Sequence, residues 1–154
     1  MVCMGNICRS PLAHGLFEVL IDKEGLSDRV LVDSAGTHAY HVGEQPDPRS
    51  QKTALRHGID LSTQRARRVD QGDFEKFDYI LAMDRDNFSI LMNSAPAEHQ
   101  HKIRLFLEYA PERSEEEVPD PYYGGPDGFD KVFEMVEAAV SGLMADIRSQ
   151  HLSS

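Results

Sequence analysis

Short apolar runs alternate with segments of helical period along this chain, and that alternation restricts the fold more than any other feature. Residues 30–36 (VLVDSAG), 79–83 (YILAM) and 102–106 (KIRLF) are apolar and bounded by polar or small residues, so they predict buried strands. Residues 10–25, 49–57, 84–93 and 128–151 predict helices. The first of these places Leu12, Leu16, Val19 and Leu20 on one stripe, with Ser10 at the N-cap, Pro11 in the first helical position and Gly25 at the stop. The last repeats Phe129, Val132, Phe133, Val136, Ala139, Val140, Leu143 and Ile147 at helical spacing, a face wide enough to cover a sheet. Strands alternating with helices give an α/β fold with a mostly parallel, doubly wound sheet. Ligands bind such sheets outside the carboxyl ends of the strands. Cys3, Ser34, Asp84 and Asp120 each fall just after a strand or in the loop that follows, so that edge can gather all four.

The chain of 154 residues predicts a single domain, 1–154, with no linker or repeat to divide it. Its 40% hydrophobic and 27% charged residues suit a water-soluble globular protein, and no run approaches the roughly 18 apolar residues of a membrane span. No charged n-region leads into an apolar h-region, which predicts a cytoplasmic protein with no membrane insertion. The net charge of -10 repels nucleic acid at long range. A phosphorylated substrate is an anion too, so positive potential for it has to be concentrated locally, on particular amides and arginines. The two cysteines, Cys3 and Cys8, make no disulfide framework and belong to a local site or to none.

The chemistry concentrates in Cys3-Met4-Gly5-Asn6-Ile7-Cys8-Arg9-Ser10, a C-x5-R followed by serine, directly before the first helix. A phosphoryl group in transfer carries negative charge on three equatorial oxygens, and a tight loop entering a helix aims successive N–H groups at them. Gly5 permits the curl, Asn6 tolerates left-handed dihedrals, and Arg9 adds a planar pair of donors. The same donors favour a thiolate at Cys3, and the Ser10 hydroxyl lies near enough in sequence to donate to the sulfur. A leaving oxygen needs a proton, and Asp120 in the loop Asp120-Pro121-Tyr122-Tyr123-Gly124-Gly125 offers one beside aromatics able to wall a flat pocket. The remaining polar clusters read as solvated surface: His99 with His101, the glutamates of 112–117, and Arg65, Arg67 and Arg68.

With these motifs in order, the chain resembles the low-molecular-weight protein tyrosine phosphatases over nearly its whole length. The resemblance rests on C-x-G-N-I-C-R-S-P from Cys3, S-A-G-T from Ser34, P-D-P-R from Pro46, A-M-D from Ala82 and D-P-Y-Y from Asp120. It implies a three-layer, parallel four-stranded sheet with helices on both faces, and hydrolysis of protein phosphotyrosine without metal or cofactor. It also implies that Cys3 is the nucleophile, Arg9 the phosphate clamp and Asp120 the general acid. Met4, Gly5, Asn6, Ile7, Cys8 and Ser10 then form the phosphate loop, with Ser34 supporting Asn6. Met4, Tyr40, His41, Tyr122 and Tyr123 form the pocket rim, and Cys8 stands where the family has a cysteine able to protect the nucleophile by a reversible disulfide.

Three positions depart from the family pattern. Gln64 replaces a histidine that commonly supports the loop asparagine, and Tyr40 stands where tryptophan is common. Only Met1 and Val2 precede Cys3, so the first strand is cut short. Two alternatives to phosphotyrosine hydrolysis stay open: a protein arginine phosphatase, in which a threonine typically replaces Ile7, and a phosphate-binding module whose turnover is impaired by the short N-terminus. Arsenate reduction on the same loop is disfavoured because the chain lacks further cysteines for a redox relay.

Overall fold

The computed structural model describes residues 1–122, 124–125 and 127–152. Four parallel strands, β1 (Val2–Cys3), β2 (Ala35–Gly36), β3 (Ile80–Ala82) and β4 (Ile103–Leu105), stand in the order β2-β1-β3-β4. The helices are α1 (Arg9–Lys23), α2 (Pro48–Arg56), α3 (Gln71–Lys76), α4 (Arg85–Ser94) and α5 (Gly128–Ile147), with 3-10 turns at Ala97–Lys102 and Phe106–Tyr109.

Alternation along the strands divides the interior into two cores. Cys3, Leu81 and Met83 face α1 and α5, where they join Leu12, Phe17, Val132 and Val136. Val2, Ile80, Ala82 and Ile103 face the other way, toward Phe74 and Leu91. Helices therefore cover both faces, in the three-layer doubly wound arrangement that the strand and helix alternation predicts. All eight apolar residues expected to face the core from α5 are buried.

Local details differ from the sequence reading. α1 begins at Arg9 with Cys8 at its N-cap position, and no side chain caps it. Ser10 is not the cap, because its hydroxyl is drawn into the loop below. The buried face of α1 is also rotated: Leu12, Ala13, Phe17 and Ile21 are buried, whereas Val19 is 46% exposed. Against another face of the helix, a Cβ on Gly15 would lie 2.3 Å from Leu61 Cδ2 and 3.2 Å from Ile59 Cγ2. A glycine at this helical position lets the 59–61 segment approach the backbone.

Of the run 30–36, only Ala35 and Gly36 join the sheet. Their partner β1 is short: the Ala35 N–H reaches Met1 O at 3.0 Å and the Thr37 N–H reaches Cys3 O at 2.9 Å, so residues 30–33 extend beyond the start of the ladder. A cavity of about 300 Å³ opens there, lined by Met1, Val30, Val32, Tyr79 and Leu81 among others. Helix α3 lay outside the sequence reading although its signal was present: Asp70 accepts the Asp73 N–H and Asp73 accepts the Asp70 N–H, a reciprocal capping box. Among the described residues no helix is long and apolar enough to cross a membrane.

Candidate active site

Residues 3–9 curl from the end of β1 into α1. Asn6 is left-handed, with φ of 58°, a conformation that asparagine tolerates better than most residues. Its buried side chain holds the curl from three directions. Nδ2 donates to Ser10 Oγ at 2.8 Å and to Ser34 Oγ at 3.1 Å, while Oδ1 accepts the Arg67 N–H at 3.0 Å. Gly36 lies beneath the loop so closely that a Cβ would sit 2.7 Å from Met4 O and 3.2 Å from Asn6 N. A side chain at position 36 would displace the phosphate loop itself.

Two donors converge on Cys3 Sγ. The Asn6 N–H lies 3.3 Å from it and Ser10 Oγ 3.0 Å. Ser10 Oγ already accepts from Asn6 Nδ2, which leaves its own hydrogen for the sulfur. Behind Asn6, Ser34 Oγ also meets His14 Nδ1 at 3.0 Å, extending the network into α1. Burial holds His14 below its ordinary value, outweighing the neighbouring Glu18 carboxylate that raises it. A neutral imidazole with Nδ1 as acceptor completes the chain of bonds from Asn6 through Ser34.

The lowered His14 value has a consequence for stability. Unfolded, this histidine takes up a proton as pH falls through its ordinary 6.5; folded, it resists until lower pH. The unfolded state therefore binds more protons in that window, and the stability contributed by neutral His14 is lost as pH falls below about 6.5. His14→Gln is expected to reduce the fall in Tm between neutral and mildly acidic buffer, measured by calorimetry. An unchanged acid slope would remove His14 from this role.

Arg9 is 2% exposed at the pocket floor. Its Nη1 donates to Asp84 Oδ2 at 2.6 Å and to the Val118 carbonyl at 3.0 Å, and Nη2 stands 3.7 Å from Asp120 Oδ2. Burial opposes its charge, but the Cys3 sulfur and the Asp84 carboxylate outweigh burial and hold the guanidinium above its ordinary value. Asp84 also caps α4 through the Asn87 N–H at 2.8 Å, and the Val118 N–H binds Met83 O at 2.7 Å. The end of β3 thus fixes both partners of Arg9.

The resulting pocket of about 290 Å³ is lined by Cys3, Met4, Gly5, Ile7, Cys8, Arg9, Tyr40, His41, Asp120 and Tyr122. Asn6, Ser10 and Ser34 lie behind the loop, and Tyr123 is outside the described residues. At the rim, Tyr40 stacks on His38 with centroids 5.3 Å apart, while His41 binds Glu44 at 2.8 Å and leans toward Tyr122. Burial, reinforced by the Asp47 carboxylate, pushes the Cys8 thiol up. Gln64 does not reach Asn6 and instead donates to Pro11 O at 3.2 Å. Among the described residues, no three His, Cys, Asp or Glu side chains are grouped to hold a metal ion.

Sequence reading placed Asp84 on the ligand-binding edge without naming Arg9 as its partner, and gave no role to His14 or Val118. Asp84 carried a usable signal, being an acid placed directly after an apolar strand on the ligand-binding edge. The Val118 carbonyl carried none, because a backbone acceptor leaves no trace in side-chain chemistry.

A sulfur and a buried guanidinium lie together in one pocket beside hydrogen-bond donors, a set of groups suited to a phosphoryl oxyanion and thus to the phosphatase class. Comparison with known proteins narrows that class. The family model for low molecular weight phosphotyrosine protein phosphatases matches residues 1–153. A low molecular weight protein-tyrosine-phosphatase of Streptomyces coelicolor is 43% identical over 152 residues, covering 97% of this chain and 92% of that protein. A crystal structure of a protein tyrosine phosphatase from Entamoeba histolytica, with Hepes in its active site, superposes with a TM-score of 0.92 at 38% identity, covering 96% of this chain and 94% of the other. A Drosophila arginine phosphatase superposes with a TM-score of 0.89 at 32% identity over 97% of this chain and 96% of its own. The chain belongs to the low molecular weight phosphotyrosine protein phosphatase family and is a protein tyrosine phosphatase.

Proposed function

We propose that Cys3 Sγ attacks the phosphorus of a protein phosphotyrosine while the tyrosyl O–P bond breaks and Asp120 gives its proton to the departing phenolic oxygen. Water then attacks the phosphocysteine, Asp120 takes its proton, the P–S bond breaks, and inorganic phosphate leaves with the thiolate restored. Arg9 and the loop amides hold the equatorial oxygens through both steps. The observation that carries this reading is the convergence of the Asn6 N–H and Ser10 hydroxyl on Cys3 Sγ, in a pocket also lined by Asp120.

Asp120→Ala tests the acid. General acid catalysis contributes about 100-fold or more, and only where the leaving group needs the proton. Turnover of phenyl phosphate is expected to fall by about that factor, and turnover of para-nitrophenyl phosphate by much less. Equal losses on both esters would remove Asp120 from the role.

Phosphotyrosine is favoured over phosphoarginine by the apolar, buried Ile7 on the pocket wall and by the aromatic rim of Tyr40 and Tyr122. Higher kcat/KM on phosphoarginine than on phosphotyrosine peptides would reverse that choice. The protein acts as one domain, in the cytoplasm, on phosphoproteins and not on nucleic acid. Its reaction uses no metal or cofactor, so a chelator leaves the rate intact while vanadate and phosphate inhibit.

A further inference from the structure

The loop bearing Asp120 is anchored from outside by Arg49, near the start of α2. Arg49 Nη1 donates to the Tyr122 carbonyl at 3.0 Å, two residues beyond the acid. The guanidinium also lies 5.2 Å from the centroid of the Tyr122 ring and 4.9 Å from that of Phe129, within reach of both π faces. Its other donors grip Asp47: Nε reaches Oδ1 at 3.0 Å and Nη2 reaches Oδ2 at 2.9 Å.

Asp47 in turn is tied to the backbone of the phosphate loop. Its backbone N–H donates to Ile7 O at 2.8 Å, and its carboxylate caps α2 through the Arg49 N–H at 2.8 Å. Burial alone would raise the Asp47 carboxyl, but the hydrogen bonds from Arg49 outweigh it and hold the group below its ordinary value, so the pair is ionic. An unbroken run of polar contacts therefore leads from Ile7 through Asp47 and Arg49 to the backbone beside Asp120.

We propose that Arg49 is a positioning residue: it couples the acid loop to the phosphate loop and so sets Asp120 over the pocket mouth in register with Cys3. The proposal rests on the acid role given to Asp120 above. An arginine fits this task where a lysine does not, because its planar fork grips a carboxylate, reaches a carbonyl and lies against rings at once. A purely structural role would depress all substrates alike. A role exercised through the acid appears only where protonation of the leaving group limits the rate.

The experiment measures kcat/KM for Arg49→Ala and Arg49→Lys along aryl phosphates from para-nitrophenyl to phenyl, in the parent and in the Asp120→Ala background. Arg49→Ala is expected to lose about tenfold more on phenyl than on para-nitrophenyl phosphate, with Arg49→Lys showing the same pattern in smaller degree. In the Asp120→Ala background, Arg49→Ala should add no further dependence on leaving group. Inhibition by inorganic phosphate, which reads the phosphate loop alone, should stay near the parent value in at least the lysine variant. The proposal is overturned by equal losses across the series, by loss of phosphate inhibition in both Arg49 variants, or by leaving-group effects that add in the double variant. If Asp120→Ala itself shows no leaving-group dependence, the acid assignment and the positioning role fall together. A steep Asp120→Ala series beside flat Arg49 series overturns the positioning role alone.

Discussion

Cys3→Ser is expected to lower turnover of aryl phosphates by about 10,000-fold or more, as removal of a covalent nucleophile does in enzymes built around one. Two donors face the sulfur: the Asn6 N–H and Ser10 hydroxyl lie 3.3 and 3.0 Å from Sγ. A serine hydroxyl would meet the same donors, but it is far less acidic than a thiol, and among the described residues no carboxylate or imidazole hydrogen-bonds to the sulfur. Asp120 lies at the mouth in the proposed mechanism, and the buried groups next to the sulfur donate rather than accept. The substitution deletes little volume, so the loop should keep its fold and its affinity for oxyanions. Stopped-flow measurement of the parent should show a burst of phenol matching the enzyme concentration, and the variant none. Calorimetry should still detect phosphate bound to the variant. Turnover within a hundredfold of the parent would discard Cys3 as nucleophile.

Arg9→Lys is expected to lower kcat/KM by about 1,000-fold, the scale seen when a preorganised donor to a developing oxyanion is lost. Charge is conserved in this change and geometry is not. Nη1 is committed to Asp84 and the Val118 carbonyl, so in the proposed mechanism the phosphoryl oxygens take Nε and Nη2, the latter 3.7 Å from Asp120 Oδ2. The three donors of an ammonium sit on a single nitrogen and cannot reproduce the spread of the planar fork between the acid, the carbonyl and the substrate. Losses should be equal for phenyl and para-nitrophenyl phosphate, and phosphate inhibition should weaken in parallel, the opposite of the signature expected for Asp120. A variant that keeps tight phosphate inhibition would show that Arg9 serves the scaffold and not the clamp.

How far the sequence revealed these groups depended on the range of the interaction. The spacing from Cys3 to Arg9 and the apolar period of α5 are local, and a local pattern survives in one dimension. The network around Asn6 is not local: its partners lie 28 residues away at Ser34 and 61 away at Arg67. The partners of Arg9 lie 75 and 109 residues away, at Asp84 and Val118. Ser10 shows how a tertiary demand overrides a local preference. Its residue type and position favour an N-cap, yet its hydroxyl is worth more beside the sulfur and Asn6, so the helix starts uncapped. Val19 illustrates the limit on the apolar side: it is apolar and at helical spacing with Leu12 and Leu16, yet exposed, because α1 turns Leu12, Ala13, Phe17 and Ile21 to the core instead. β2 was longer in the reading than in the fold because strand length is a property of pairs, and β2 pairs with β1 over two residues.

The left-handed turn at Asn6 carries a thermodynamic consequence. Its side chain meets Ser34 and Arg67 only when distant parts of the chain have closed around it, so the cradle for the anion does not exist in the unfolded chain. An oxyanion that enters the cradle binds the native state alone, and mass action then makes it a folding ligand. At a hundred times its dissociation constant such a ligand adds about 2.7 kcal/mol to the unfolding free energy. Inorganic phosphate, the product of the proposed reaction, is therefore expected to slow turnover by occupying the pocket and in the same act to raise the Tm of the enzyme, which calorimetry with and without phosphate checks.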